Sequence, residues 1–209
     1  MKRFPIMAAL FFVALSVSCK RSEPESIVHA IPTDTTNVPI ERPAPNTSVI
    51  AGKSIGNIEL EMDAQRLESL LGAPDLSDSA MGKSWMTWYS DNSEAVSGKY
   101  ELNVFTAYKD DAMDERVVRL VRVTSPEFTV DSIGTGKKMS DVTSKFPAIA
   151  NVGDYTFGKT KGFVSLYDDQ DGGVAFEFLN DSCIGIIIHP RGQDVTLDYR
   201  TFRPDMTLK

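Results

Sequence analysis

The chain has 209 residues, 42% hydrophobic and 24% charged, with 22 Lys+Arg against 29 Asp+Glu. That mixture is globular. A net charge of −7 and an isoelectric point near 4.9 exclude nucleic acid as the main partner, because nucleic acid demands a basic face. Two cysteines and two histidines exclude a disulfide scaffold and a four-cysteine metal site, and a zinc site built from His and Cys would consume all four.

Lys2 and Arg3 precede an apolar run over residues 6–17. Twelve residues are too few to span a bilayer, which needs about 20, but suit the apolar core of a secretory signal. The run ends Leu15-Ser16-Val17-Ser18-Cys19, which resembles the lipobox of bacterial lipoproteins in a relaxed form, with Ser16 where an aliphatic residue is usual. This implies a signal peptide over 1–18 and acylation of Cys19. Lys20, in place of the aspartate associated with inner-membrane retention, directs the expectation to the outer membrane, facing the periplasm. Residues 19–48 carry Pro24, Pro32, Pro39, Pro43 and Pro45 among Ser, Thr, Asn and Glu, with no helical or strand period. Such a stretch reads as an extended tether. Asp34-Thr35-Thr36 within it is similar to a periplasmic O-glycosylation acceptor, a three-residue match that chance also supplies.

Order begins near Val49, and the remaining residues suffice for a sizeable core. Asp63 caps a short helix with Leu67, Leu70 and Leu71 on one face and Gly72 and Pro74 at its end. Strands follow over 85–89, 100–108 and 117–123, rich in aromatic and β-branched residues. Ser-Ile-Gly, then Met, then a capping residue recurs from Ser132 to Ser140, 78 residues after Ser54. Ser140 is the expected cap of a second helix, with Val142 and Phe146 on one face. Strands over 163–167, 174–179 and 183–189 follow, with a hairpin turn at 168–173. The expected fold is α+β. It comprises two tandem helix-plus-antiparallel-meander repeats, 49–130 and 131–209 with a C-terminal tail, and the helices lie on one face of the sheet.

The segments Ile58-x-Leu60-x-Met62-Asp63, Leu70-Leu71-Gly72-Ala73-Pro74 and Trp85-Met86-Thr87-Trp88-Tyr89 resemble the β-lactamase-inhibitor-protein-like fold and its short relative, the SmpA-type outer-membrane lipoprotein. The resemblance spans 54–190. It departs from the family at Glu61 and Lys138, where Gly before Met is usual, and at the Phe-Pro end of the second helix. It implies inhibition of β-lactamases or scaffolding of membrane assembly.

No nucleophile elbow, phosphate loop or zinc-protease motif is present in the sequence. Asp168-Asp169-Gln170-Asp171-Gly172-Gly173 fits no register of a calcium loop and reads as a solvated turn. Asp110, Asp111, Asp114 and Glu115 read as a loop between strands. Cys183 reads as a buried free thiol, and His189 as a strand-end histidine facing solvent. Aromatics offer the binding candidates: Trp85, Trp88, Tyr89, Tyr100 and Tyr108. Trp85, Thr87 and Tyr89 alternate with Met86 and Trp88, so one set enters the core and the other is exposed or covered by the second repeat. The expected function is a lipid-anchored, non-enzymatic protein-binding or envelope-scaffold module without cofactor or metal. Its expected partner is an envelope protein. The alternatives are a small-ligand-binding protein or hydrolase using cleft carboxylates, and an envelope spacer.

Overall fold

The computed structural model describes residues 46–90, 98–156, 158 and 162–209. The expected signal peptide, Cys19, the Asp34-Thr35-Thr36 segment and the expected tether up to residue 45 lie outside the described residues.

The described chain opens with a small antiparallel sheet of β1 (Val49–Ile50), β2 (Ser54–Ile55) and β3 (Ile58–Glu59). Helix α1 (Ala64–Leu71) follows, as the sequence predicts. Asp63 caps it, its carboxylate accepting from the backbone N–H of Gln65 at 2.8 Å and Arg66 at 3.1 Å. Four strands then form a meander: β4 (Leu76–Ala80), β5 (Lys83–Tyr89), β6 (Glu101–Tyr108) and β7 (Arg116–Val123). Helix α2 (Met139–Lys145) leads into a second meander of β8 (Ala150–Thr156), β9 (Phe163–Asp169), β10 (Val174–Leu179) and β11 (Ser182–Ile188). Helix α3 (Thr196–Phe202) and β12 (Thr207–Leu208) close the chain. The expected cap of α2 shifts: Lys138 stands at the N-cap without a side-chain bond, and Ser140 lies inside the helix.

The α+β expectation of two helix-plus-meander repeats is overturned. The molecule is mostly β. All four strands of each meander join one nine-stranded antiparallel sheet, in the order β12-β8-β9-β10-β11-β7-β6-β5-β4. The seam is β11 against β7, with Ile186, Ile187 and Ile188 opposite Val123, Arg122 and Val121. Separate repeats would have left both strands as edges with unpaired backbone groups, and the seam pairs them.

The helices do not share a face. Leu67 of α1 and Val142 of α2 pack, with Val49, Ile55 and Ile58 of the small sheet, over Val104, Val121, Phe176 and Ile186. Tyr199 of α3 packs on the opposite face, over Phe105, Leu120, Leu166 and Ile187. The strands themselves dictate this arrangement. The central strands carry apolar side chains on both faces, such as Ile186-Ile187-Ile188 and Val117-Val118, all fully buried. Leaving one face open would expose Phe105, Leu120 and Ile187, each worth about 1.5–3 kcal/mol when buried.

Candidate functional site

The five aromatic candidates do not converge on one surface. Trp85 is buried beneath α3, stacked on Phe202 at 4.6 Å, and its indole N–H donates to Thr201 Oγ1 at 2.6 Å. Trp88 points to the α1 face and is half-buried there, its indole N–H buried without a hydrogen-bond partner among the described residues. Tyr89 is half-buried, with the Lys99 ammonium 5.8 Å from its ring centre. Burial, and then the charges of Glu101 and Asp75, raise its hydroxyl pKa. Tyr100 is half-buried, and its backbone N–H donates to Ser90 Oγ at 3.0 Å. Only Tyr108 of the five is exposed, at 38%, with its ring set against Gly82. Alternation along β5 therefore sends one set under α3 and the other under α1, and neither forms an open aromatic face.

The α3 face contains a buried charge cluster that sequence reasoning missed. Arg122 lies 3% exposed and Glu177 is fully buried, and the guanidinium grips one carboxylate oxygen through Nε at 2.8 Å and Nη2 at 2.7 Å. Nη1 donates to Glu101 and to Asn103 Oδ1, each at 2.7 Å. The Tyr155 hydroxyl donates to the second Glu177 oxygen at 2.5 Å, and the Tyr199 hydroxyl donates to the same atom. Burial alone would raise the Glu177 pKa, but the Arg122 charge and hydrogen bonds hold it below the ordinary value. Burial pushes the Tyr199 hydroxyl up, and the Glu177 charge adds to that. Gly185 makes room for the cluster, since a Cβ there would stand 2.2 Å from Glu177 Oε2. The Tyr199 hydroxyl ties the cluster to α3, and Glu101, its side chain 20% exposed, lies at the rim.

His189 does not face solvent as expected. It is 2% exposed, with Nε2 2.8 Å from Asp168 Oδ1 and Nδ1 3.0 Å from the Pro190 carbonyl oxygen. The turn after β9 brings Asp168 to it from 21 residues away, a pairing invisible in sequence spacing. Both ring nitrogens face oxygen atoms of the chain itself, which fixes the ring behind Asp168. Cys183 is the buried thiol expected, its pKa pushed up to about 12 by burial. Asp110 and Glu115 lie in a loop, where Asp110 accepts from the Ala112 N–H at 2.9 Å and Glu115 pairs with Lys109 at 3.2 Å. Among the described residues, no group of three or more His, Cys, Asp or Glu is arranged to hold a metal ion.

Three of the features open to solvent stand out. Lys53, Asn57, Glu59 and Arg66 line a cleft of about 620 Å³ between the small sheet and α1. Asp168, Asp169, Asp171 and Asp194 line an acidic cleft of about 310 Å³. The third is the edge of the large sheet at β4, unpaired among the described residues, a strand exposed at all five residues and absent from the sequence reading. Met81 and Gly82 form its two-residue hairpin loop, both at positive φ (51° and 77°), the geometry of a type I′ turn. Such a loop makes Ala80–Lys83 a hydrogen-bonded pair. By alternation Asp78–Trp85 and Leu76–Thr87 are bonded too, and the N–H and C=O of Ser77 and Ser79 point away from the sheet. The pattern Leu76-Ser77-Asp78-Ser79-Ala80 has too little apolar character to signal a strand.

No protein-family model matches the chain, and no curated protein matches it. Two solved structures are similar. One is an extracellular protein containing a SCP domain from Bacillus anthracis str. Ames, 15% identical, with 72% of this chain and 49% of that chain covered and a TM-score of 0.39. This chain thus spans about half the length of that protein. The other is a DUF4309 family protein (YjgB) from Bacillus subtilis subsp. subtilis str. 168, 9% identical, with 67% and 88% covered and a TM-score of 0.37. Scores this low identify neither a fold nor a function. Among the described residues, no helix is long and apolar enough to cross a membrane.

Proposed function

We propose that this chain is a lipid-anchored lipoprotein of the cell envelope, facing the periplasm of the outer membrane, and a non-enzymatic module that binds an envelope protein. The observation that carries the reading is the open edge of β4. Ser77 and Ser79 offer outward N–H and C=O groups, and Leu76 beside them is 57% exposed. An extended segment of a partner adds there as a tenth strand, its main chain supplying affinity and its side chains register. Lys2, Arg3, the apolar run and Cys19 support the anchor, and the Pro-rich segment supports a tether that raises local concentration while allowing several orientations. Engagement of both His189 ring nitrogens and the sealed Arg122–Glu177 cluster support a role without catalysis.

A cross-linked pull-down from the native envelope tests this, comparing wild type with Cys19→Ala and with the double variant Ser77→Pro/Ser79→Pro. Proline at these positions removes outward N–H groups without breaking a backbone rung to β5, so strand addition is blocked while the ladder is kept, at the cost of the Ser79–Ser84 side-chain bond. One discrete protein, recovered with wild type and lost from both variants, is the expected result. Equal recovery with the proline variant would refute the edge, and background-level recovery with wild type would refute the binding role.

A second reading, a small-ligand protein or hydrolase, is favoured by the acidic cleft, whose Asp168 is bonded to His189 behind it. It predicts loss of ligand binding on Asp171→Asn, measured by calorimetry against a panel of cationic metabolites.

A further inference from the structure

Asp78 is the only charged residue of β4, and its register decides what an added strand has to carry. It stands opposite Trp85, and Leu76 opposite Thr87, so both side chains lie on the α3 face of the sheet. Asp78 is exposed, and its carboxylate forms no ion pair among the described residues. The outward N–H and C=O groups belong to Ser77 and Ser79. A tenth strand therefore bonds to those two residues, and Asp78 between them takes a non-hydrogen-bonded position of the new ladder. Facing residues come closest at that position, with Cα atoms about 4.5 Å apart. An opposite charge there stabilises the pairing and a like charge opposes it. Lys83, the one cation of β5, shares the face but sits opposite Ala80, about 10 Å or two strand spacings from an added strand. Its charge acts on Asp198 of α3. The charge that an incoming strand meets at this rung is thus negative.

Resting on the edge reading above, we infer that β4 takes an antiparallel strand with Lys or Arg opposite Asp78 and an apolar side chain two residues further on, opposite Leu76. Antiparallel addition continues the pattern of the whole sheet. Leu76, 57% exposed, gives the apolar side chain a surface to cover. On the other face, Ser77 and Ser79 present hydroxyls, 3.4 Å apart, with Ser79 also 2.5 Å from Ser84, and these place no charge requirement on the partner. The same register disfavours a second copy of this chain. Antiparallel pairing of two β4 edges through every outward group sets Ser77 of each copy against Ser79 of the other. That brings the two Asp78 carboxylates face to face at the close position, where like charges repel. One carboxylate thus blunts the edge against its own copy and selects a basic strand.

Three capped peptides test this, Thr-Val-Thr-Lys-Thr-Val-Thr and the same sequence with Gln or Glu at the centre. Each is titrated into the purified full chain carrying Cys19→Ala, with amide chemical shifts as the readout. Saturable shifts at Ser77, Asp78 and Ser79 are expected. The Lys peptide is expected to bind about three- to ten-fold more tightly than the Glu peptide, with the Gln peptide between them. Asp78→Lys, at an exposed position, is expected to reverse that order, and Ser77→Pro/Ser79→Pro to abolish binding of all three. Sedimentation is expected to show a monomer. Equal affinity for the Lys and Glu peptides, or an order unchanged by Asp78→Lys, would overturn the charge selection and leave the edge reading standing. Binding of none of the peptides would overturn both. A dimer of the chain that the proline pair dissociates would overturn the exclusion of a second copy.

Discussion

Arg122 and Glu177 come from strands separated by β11 and are sealed from water, so their mutual contact compensates both desolvation costs. Removing one charge leaves the other buried alone. Glu177→Gln is therefore expected to lower unfolding free energy by about 3–5 kcal/mol in urea titration. The pH dependence follows from the same contact. The carboxyl pKa in the folded chain lies below its ordinary value near 4.5. The stabilisation is thus complete above that value and is lost as pH falls through the lower folded one. Wild type is expected to lose stability on acidification, and Glu177→Gln to show a flatter acid limb; parallel curves would assign that loss to other groups. Cys183 gives a second check at this scale. With its thiol pKa pushed up to about 12 and its side chain buried, it is expected to resist iodoacetamide at pH 8 in the folded protein and to react on unfolding. Rapid alkylation of folded protein would contradict the burial.

Short elements depend on their ends. Asp63 satisfies two of the free N–H groups of α1, and Asp63→Ala is expected to cost about 1 kcal/mol, read as a shift in the urea midpoint. Met81 holds a left-handed backbone at φ 51° while 98% exposed, a conformation that Asn adopts more readily. Met81→Asn is expected to stabilise the hairpin by about 0.5–1 kcal/mol, and a fall in stability would show that the Met side chain has a packing role. These ends also explain what was legible. Asp63, Leu67 and Gly72 spell out α1, and alternation of aromatic and β-branched residues placed six strands to within a residue or two. β4 and β8 were hidden because Leu-Ser-Asp-Ser-Ala and Ala-Asn-Val-Gly-Asp-Tyr-Thr carry polar residues where a strand signal needs apolar ones. Helix α3 was hidden because its buried face is little more than Thr196 and Tyr199.

Across the whole molecule, local pattern could not foretell how the two meanders meet. Ile186-Ile187-Ile188 reads equally well as an edge or a central strand, and only its pairing with β7 makes the sheet continuous. The same continuity explains why the aromatic surface did not appear. A sheet apolar on both faces draws α1, α2 and the small sheet to one side and α3 to the other. The candidate sites were least legible for a related reason. Arg122 with Glu177 and Asp168 with His189 each meet across one intervening strand and are distant in sequence. With both faces covered, the protein recognition proposed for this chain is assigned to the edge at β4, and the proposal depends on the sheet being one unit whose β4 edge is unpaired among the described residues. Residue-resolved amide hydrogen exchange of the domain measures both requirements. The account predicts that amides at the β7–β11 seam exchange last, through global unfolding shared by both meanders, while Ser77 and Ser79 exchange fast beside slower Asp78 and Ala80. Early exchange at the seam with the two meanders opening separately, or protection at Ser77 and Ser79 in the isolated domain, would contradict it.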